Sequence, residues 1–204
     1  MTDPQIIILI RLSKGRKKVF ERCVQSLRSQ TFQDFNVAVS IDDPECAAWV
    51  PKDFQLFSLA KSSFSGDFFY NGYCNVLKSA YVPISSKHWF FFLDCDDYLA
   101  TDDALERIAQ HLKDPWQAVV CQMSRADGKL KPSDELMNSR HIISGRVGLP
   151  CLILRAQYKT TLEIGTEENS DFQWIKTLTD NLATKFVKQV LVHSPQRNYG
   201  KSLD

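Results

Sequence analysis

An apolar segment that runs directly into a group of carboxylates is the feature that most constrains this chain. Residues 88–93 are HWFFFL, and Asp94-Cys95-Asp96-Asp97 follows at once. Such a run is typical of a strand that is buried on both faces of a sheet. Carboxylates this close repel one another, at a cost of about 4 kcal/mol for a pair ~4 Å apart. We therefore expect solvent, protonation or a bound cation to relieve the repulsion.

The spacing of the carboxylates favours a cation. Strand periodicity places residues i and i+2 on the same side, so Asp94 and Asp96 are predicted to face one ion together. Hard oxygen ligands with open positions suit Mg²⁺ or Mn²⁺ shared with phosphate oxygens. The alternative is an exposed turn that caps the following helix. A second acidic pair, Asp42-Asp43, also ends a predicted strand, and ligands of open α/β sheets bind at such strand ends.

The remaining pattern predicts one α/β domain with a mostly parallel sheet. Residues 6–10 predict a buried strand, and 36–41 predict a second strand after an amphipathic helix, which together make a βαβ unit. Apolar stripes predict helices at Phe20, Cys23, Val24 and Leu27, at Leu105, Ile108, Ala109 and Leu112, and at Phe172, Ile175, Leu178 and Leu182. Further strands are predicted at 118–123, 148–154 and 185–193, a helix cap at Asp102 or Asp103, and a polar, mobile segment at 124–140.

The charge balance excludes some partners. The chain has 25 Lys and Arg against 24 Asp and Glu, a net charge of +1, so it has no general attraction to nucleic acid or an anionic membrane. Arg16-Lys17-Lys18 forms one small basic patch, which a solvated start of a helix explains equally well. No apolar run approaches the roughly 18 residues that span a bilayer, so we predict no integral membrane segment.

The six cysteines are scattered without a CxxC pair, and most lie in apolar runs. A free thiol in such a run packs as a small hydrophobic group. We therefore predict reduced thiols and a cytoplasmic protein, rather than a disulfide or zinc framework. A peripheral position at a membrane surface is compatible with this prediction.

Short segments that match one enzyme family follow one another in order across nearly the whole chain. Residues 21–35, ERCVQSLRSQTFQDF, resemble that family's first helix and its "SLxxQTxxDFE" sequence, and 37–43, VAVSIDD, resemble its strand ending in "DD". Residues 90–99, FFFLDCDDYL, resemble its "FLDxDDxL" metal motif. Residues 102–106 (DDALE), 168–172 (ENSDF) and 197–203 (RNYGKSL) resemble "PDALE", "EDxDF" and "RxHxxSLS". Jointly these segments resemble the family 2 glycosyltransferases.

The resemblance implies a GT-A fold, in which a mostly parallel central sheet is flanked by helices and one half is Rossmann-like. The single domain 1–204 would divide into a donor half at about 1–97 and an acceptor half at about 98–204. It implies transfer of a sugar from a nucleoside-diphosphate sugar, most commonly of UDP, to a glycan or other hydroxyl acceptor. This is a hexosyltransferase reaction of class EC 2.4. Some relatives carry a further region, so the chain is compatible with being one domain of a longer protein.

The resemblance also implies roles for residues at the strand ends. Asp42 or Asp43 would accept a hydrogen bond from the nucleotide base, and the loop 11–14 would lie against the nucleoside. Asp94 and Asp96 would hold Mn²⁺ or Mg²⁺ and the diphosphate, with Asp97 an alternative ligand. The full set of predicted donor-site residues is Arg11, Ser13, Lys14, Asp42, Asp43, Asn71, Asn75, Asp94 and Cys95.

Three positions depart from the family's pattern. Leu12-Ser13-Lys14-Gly15 replaces "PTYN", so the aromatic residue that packs on the base is missing, and Lys14 or Arg11 could contact a phosphate instead. Asn169 replaces the usual catalytic base, which leaves Glu168 or Asp171 as the base, or a retaining reaction that needs none there. Tyr199 replaces a frequent metal-binding histidine, for which His193 is the candidate substitute.

Three other functions compete with glycosyl transfer. A sugar-1-phosphate nucleotidyltransferase normally has a Gly-rich basic loop after its first strand, where this chain has only Gly15. A phospho-acceptor receiver domain needs a lysine at a later strand end, and no clear one is present. A non-catalytic nucleotide-sugar-binding domain would explain Asn169. The sugar, the acceptor, the anomeric outcome and the oligomeric state stay open.

Overall fold

The computed structural model describes residues 5–58, 85, 87–158 and 170–195, and within them nine strands form one sheet. The strands are β1 (Gln5–Leu12), β2 (Phe35–Ile41), β3 (Gln55–Ser58), β4 (His88–Asp94), β5 (Tyr98–Leu99), β6 (Ala118–Arg125), β7 (Leu130–Lys131), β8 (Leu152–Arg155) and β9 (Thr184–Ser194). The helices are α1 (Lys17–Arg28), α2 (Ala104–Ala109), α3 (Asp134–Ser139) and α4 (Ser170–Asn181), with 3₁₀ turns at Pro44–Trp49, Leu149–Cys151 and Ala156–Tyr158. The predicted α/β class is confirmed.

The sheet order brings three strand ends to one edge. The order is β3-β2-β1-β4-β8-β6-β9-β5, with β7 paired to β6. β1 lies parallel to both β2 and β4, β2 lies parallel to β3, and β6 lies parallel to β9. Antiparallel pairs occur where β4 and β6 meet β8, where β6 meets β7, and where β5 meets β9. The carboxyl ends of β1, β2 and β4 are therefore neighbours, as a nucleotide-binding half requires.

The central strands are buried on both faces. Residues 6–10 of β1 are at most 4% exposed, and residues 89–93 of β4 are at most 1% exposed. In β2 the alternation of apolar and polar residues predicts one buried face, but Ala38 and Ser40 are buried as well. Since successive residues of a strand point to opposite faces, this burial means that both faces of β2 are covered. The Ser40 hydroxyl is satisfied there, since it donates to the Ile10 carbonyl at 3.3 Å.

A buried glutamine ties α1 to the chain that follows the carboxylates. Gln30 is 3% exposed. Its amide nitrogen donates to the carbonyls of Ser26 and Thr101, and its amide oxygen accepts from the Leu105 backbone. The Ser26 hydroxyl accepts from the Leu99 backbone at 3.1 Å. Helix α1 is therefore fixed beside the segment that leads out of the acidic cluster.

The structure adds detail to two local predictions. The segment 124–140, predicted to be polar and mobile, contains the end of β6 at Arg125, a turn at Gly128 with φ of +75°, and then β7 and α3. Ser133 caps α3 by accepting from the Leu136 backbone. Asp103 is the N-cap residue of α2 but makes no capping bond, because its carboxylate accepts the Thr101 hydroxyl at 2.5 Å instead.

Cysteines 23, 46, 95, 121 and 151 are free and buried, in agreement with the prediction of reduced thiols. Cys74 lies outside the described residues. None of the helices in the described ranges has the length and apolar character needed to cross a membrane.

Candidate metal and nucleotide site

The carboxylates after β4 converge on one point. Strand β4 ends at Asp94, and the next residues form a turn in which the Asp97 backbone donates to the Asp94 carbonyl at 3.0 Å. One oxygen from each of Asp94, Asp96 and Asp97 lies within 4.8 Å of the others. Strand periodicity alone pairs Asp94 with Asp96, whereas the turn brings in Asp97 as well. These three side chains are the predicted carboxylate ligands.

The cluster concentrates negative charge in a poorly solvated place. Asp97 is 3% exposed, and burial, followed by the charges of Asp94 and Asp96, raises its pKa well above the ordinary value. Burial, followed by the charge of Asp94, also raises the pKa of Asp96. A hydrogen bond with the Ser194 side chain at the end of β9 partly offsets the shift at Asp97. Closely spaced oxygen donors with excess negative charge fit a divalent cation.

Two arginines lie against this cluster. The Arg11 guanidinium contacts Asp94 twice, Nε to Oδ1 at 2.6 Å and Nη2 to Oδ2 at 3.1 Å. Arg16 contacts Asp96 once, Nη1 to Oδ2 at 3.2 Å. Sequence reasoning missed both contacts: it assigned Arg11 to the nucleoside or a phosphate, and Arg16 to a small basic patch. The signal for Arg16 was its place at the start of α1, directly after the strand that neighbours β4.

The acidic pair after β2 is held by the backbone of two loops. Asp42 accepts the backbone N–H of Lys14 at 3.2 Å. Asp43 accepts the backbone N–H of Glu45 at 3.0 Å and thereby caps the 3₁₀ turn Pro44–Trp49. The Lys14 ammonium lies 2.8 Å from Glu45 and 3.5 Å from Asp43, and these partners raise the pKa of Lys14. Asp43 thus has a structural task, while Asp42 lies against the loop that follows β1.

Cys95 contacts the loop that follows β1. Its side chain is buried, and its thiol has the Ser13 backbone as a hydrogen-bond partner. Burial, followed by the charges of Asp96 and Asp94, raises the pKa of Cys95 far above the usual range. The thiol is therefore neutral, which does not suit a thiolate ligand or a nucleophile. Ser13 and Cys95 both lie at the predicted donor site, and their contact with a nucleotide stays a prediction.

His193 lies on β9 directly before Ser194, the residue that contacts Asp97. The His193 side chain itself contacts other residues. Its ring nitrogen Nδ1 pairs with the Ser124 hydroxyl, and its ring centroid lies 5.3 Å from that of Tyr98. Burial lowers the pKa of His193. Its neighbour Ser194, rather than His193 itself, contacts Asp97. A role for His193 as metal ligand stays a prediction that this arrangement does not support.

Asp171 lies in the first turn of α4, where its carboxylate accepts the Phe172 backbone N–H at 2.7 Å. The same helix is docked through Trp174, which is 3% exposed and packs edge-on against Phe92 of β4 at 5.5 Å between centroids. Helix α4 is therefore anchored to the strand that carries the carboxylates. The other predicted residues, Glu168, Asn71 and Asn75, and the departures at Asn169 and Tyr199, lie outside the described residues.

Comparisons with known proteins find likeness in structure only. No protein-family model matches the chain, and no curated protein matches it. S. aureus TarS 1-349 in complex with UDP-GlcNAc superposes with a TM-score of 0.72 at 14% identity, over 97% of this chain and 60% of that chain. The mannosyltransferase PcManGT from Pyrobaculum calidifontis, in complex with GDP-Man and Mn²⁺, superposes with a TM-score of 0.70 at 13% identity, over 98% and 59% of the chains.

A third structure, Rv0371C from Mycobacterium tuberculosis H37Rv in complex with manganese, superposes with a TM-score of 0.56 at 11% identity, over 93% and 90% of the chains. The present chain thus spans only about 60% of the TarS and PcManGT chains. At these identities the likeness concerns the fold. It shows that the chain has a GT-A type α/β fold, a mostly parallel curled sheet flanked by helices.

Proposed function

We propose that the protein is a metal-dependent glycosyltransferase. It moves a sugar from a nucleoside-diphosphate sugar, with a UDP-sugar as the proposed donor, to a hydroxyl group of a glycan or other acceptor. The observation that carries the proposal is the convergence of three carboxylates, with oxygens within 4.8 Å, at the sheet edge where β1, β2 and β4 end. Solved structures that share the fold contain UDP-GlcNAc, or GDP-Man with Mn²⁺.

In this proposal Asp94, Asp96 and Asp97 hold Mn²⁺ or Mg²⁺. Their oxygens are close enough to share one ion, and three protein ligands leave room for phosphate oxygens. When bound, the ion would supply positive charge that stabilises the departing nucleoside diphosphate. Arg11 keeps the Asp94 carboxylate oriented through its two hydrogen bonds. Ser194 does the same for Asp97 from β9.

Asp42 is the proposed contact for the nucleotide base. Its carboxylate already accepts the Lys14 backbone N–H, and a carboxylate has capacity for several N–H donors. Asp42 can therefore hold the loop after β1 and accept from a base at the same time. Ser13 and Lys14 belong to that loop and are the proposed lining of the nucleoside site. The halves 1–97 and 98–204 are proposed to bind donor and acceptor respectively.

The proton acceptor for the incoming hydroxyl is proposed to be Asp171 or Glu168. Asp171 lies in the first turn of α4, and Trp174 of this helix packs against Phe92 of β4, two residues before Asp94. The Asp171 carboxylate accepts the Phe172 backbone N–H at 2.7 Å, which holds the side chain at the start of the helix. Glu168 precedes this helix by two residues. The base is expected to affect transfer without affecting donor binding.

The metal site is tested by titrating UDP into the protein with Mn²⁺ and with EDTA, using isothermal calorimetry. We expect Asp96→Ala to remove the metal-dependent part of the affinity while the far-UV circular dichroism stays unchanged. Asp127→Ala is the matched control, because Asp127 lies in the hairpin turn before Gly128 and has no part in the cluster. Equal metal-dependent affinity in the parent and in Asp96→Ala would refute the assignment.

The reaction is tested by incubating UDP-sugars with Mn²⁺ and candidate acceptors. Glycosyl transfer releases UDP, whereas a nucleotidyltransferase supplied with UTP and a sugar 1-phosphate releases pyrophosphate. We expect UDP release, reduced in Glu168→Gln or in Asp171→Asn with UDP affinity retained. Binding of UDP-sugars without turnover in any acceptor mixture would favour a non-catalytic binding domain.

A further inference from the structure

The two arginines at the carboxylate cluster are held in different ways. Arg11 is part of β1 and lies opposite Asp94 in the register of β1 and β4. Two hydrogen bonds join the pair, and the side chains are only 11% and 19% exposed. A two-point contact between neighbouring strands has little freedom to rearrange. The Arg11–Asp94 pair is therefore a fixed part of the site.

Arg16 makes fewer contacts with the cluster than Arg11 does. It is the residue before α1 and follows Gly15, whose φ of +82° places a left-handed turn between β1 and the helix. One contact of 3.2 Å joins it to Asp96, with side-chain exposures of 18% and 16%. Within the described part of the chain, Asp96 is its one side-chain hydrogen-bond partner. Rotation of the side chain is enough to break the contact while the helix stays in place.

Arg16 contacts a carboxylate that a metal would also need. Asp96 contributes an oxygen to the metal-competent group of three. A divalent cation near that oxygen would meet the guanidinium charge a few ångströms away, and like charges at such distances repel strongly in a poorly solvated site. Binding of the cation and formation of the Arg16–Asp96 pair therefore compete.

We infer that Arg16 takes the place of the divalent cation on Asp96 in the metal-free protein and is displaced when the cation binds. This inference rests on the proposed function, since it assumes that a cation and a diphosphate share the site. A cation that binds alone displaces the guanidinium without offering it a new partner. A diphosphate that arrives with the cation offers phosphate oxygens, which arginine binds well. Arg16 thus couples binding of the cation to binding of the diphosphate.

The coupling is measured as the ratio of two Mn²⁺ dissociation constants, without UDP and with saturating UDP. Electron paramagnetic resonance of free Mn²⁺ gives both, on the intact chain and without any turnover. We expect Arg16→Met to bind Mn²⁺ alone about tenfold more tightly than the parent, or ~1.4 kcal/mol. The ratio of the two constants should fall by a similar factor. Arg16→Gln should behave alike and replaces Arg16→Met if that variant does not fold.

Lys17→Met is the matched control, since it removes the same charge one residue further on, where the ammonium is 57% exposed and 4.0 Å from Glu21. We expect it to leave the ratio unchanged within about twofold, because solvent screens an exposed charge. An unchanged ratio in Arg16→Met, or an equal change in Lys17→Met, would overturn the inference while the proposed function stands. No Mn²⁺ binding by the parent even with UDP would overturn both.

Discussion

The two acidic strand ends of the sheet have similar sequences and different surroundings. After β2, each carboxylate accepts a backbone N–H: Lys14 donates to Asp42, and Glu45 donates to Asp43. In the described part of the chain, the side-chain cation beside this pair is the Lys14 ammonium, which is 59% exposed and lies closer to Glu45 than to Asp43. Among the described residues, this pair is thus contacted by two backbone N–H donors and by one largely exposed ammonium.

After β4, the carboxylates are stabilised by charged side chains instead. Arg11 and Arg16 face Asp94 and Asp96 at side-chain exposures below 20%, and Asp97 is buried beside them. Removing charges from water is costly, so such a cluster is stable only while its counter-charges are present. The comparison teaches that a strand-end aspartate held by backbone groups suits recognition of neutral N–H donors. A cluster balanced by side-chain cations suits exchange of one cation for another.

The largest expected effect is from Arg11→Met, which leaves Asp94 beside two other carboxylates with its main counter-charge gone. We expect a loss of about 3 kcal/mol in the free energy of unfolding, measured with urea in EDTA. Added Mn²⁺ should restore part of it, because the ion replaces the missing charge. The control is Arg28→Met, whose pair with Asp53 is more than half exposed and should contribute nothing measurable. Similar losses in both variants would contradict the comparison.

The next prediction separates binding of the nucleotide base from binding of the metal ion. Asp42→Asn should weaken UDP binding about tenfold or more, and by the same factor with Mn²⁺ and with EDTA, because a lost charge-assisted hydrogen bond does not depend on the ion. Asp96→Asn should instead lose only the Mn²⁺-dependent part. Calorimetric titration of UDP into both variants checks this. A metal-dependent loss in Asp42→Asn would show that the two strand ends form one electrostatic unit.

A smaller effect of opposite sign is expected from Asp97→Asn. Burial and the neighbouring carboxylates raise the pKa of Asp97 in the folded protein above its unfolded value. Folding therefore favours the protonated form, and the parent loses stability as pH rises from the ordinary aspartate range through the raised pKa. Asparagine does not ionise, so the variant should be more stable at pH 8, by on the order of 1 kcal/mol in EDTA. The gain should disappear at low pH, as followed by thermal unfolding.

A gain that is constant over the whole pH range would mean that Asp97 ionisation does not destabilise the fold. Asp127→Asn is the control for this series, because the pKa of Asp127 is lowered by its hydrogen bond from the Lys129 backbone. Its pH dependence should have the opposite sign. The parent gains stability as pH rises through the acid range, and the variant lacks that gain.

The smallest expected effect is from Asp43→Ala, which removes the cap of the 3₁₀ turn after β2. We expect about 0.5–1 kcal/mol lower stability and a change in UDP affinity of less than about threefold, well below that of Asp42→Asn. Asp43→Ser should keep the cap and most of the stability. A loss of UDP affinity in Asp43→Ala as large as in Asp42→Asn would reverse the roles given to the two residues.

The sequence predicted the strands and helix that surround the site, because their signals are local. Residues 89–93 before Asp94 and the stripe of Phe20, Cys23 and Leu27 are apolar in patterns that predict burial, and all of them are in the core. The sequence did not predict that β8 lies between β4 and β6 and runs antiparallel to both. Three apolar residues, Leu152 to Leu154, pair equally well in either direction, so long-range packing decides.

By itself the sequence determined that carboxylates crowd the end of a buried strand, since their repulsion follows from adjacency alone. Only the tertiary structure decided which positively charged side chains pair with these carboxylates. Arg11 is 83 residues from Asp94, and Arg16 is 80 residues from Asp96. Those pairs exist because β1 lies beside β4 in a particular register and α1 begins at the same edge. Electrostatic energy depends on distance in space, and strand register sets that distance.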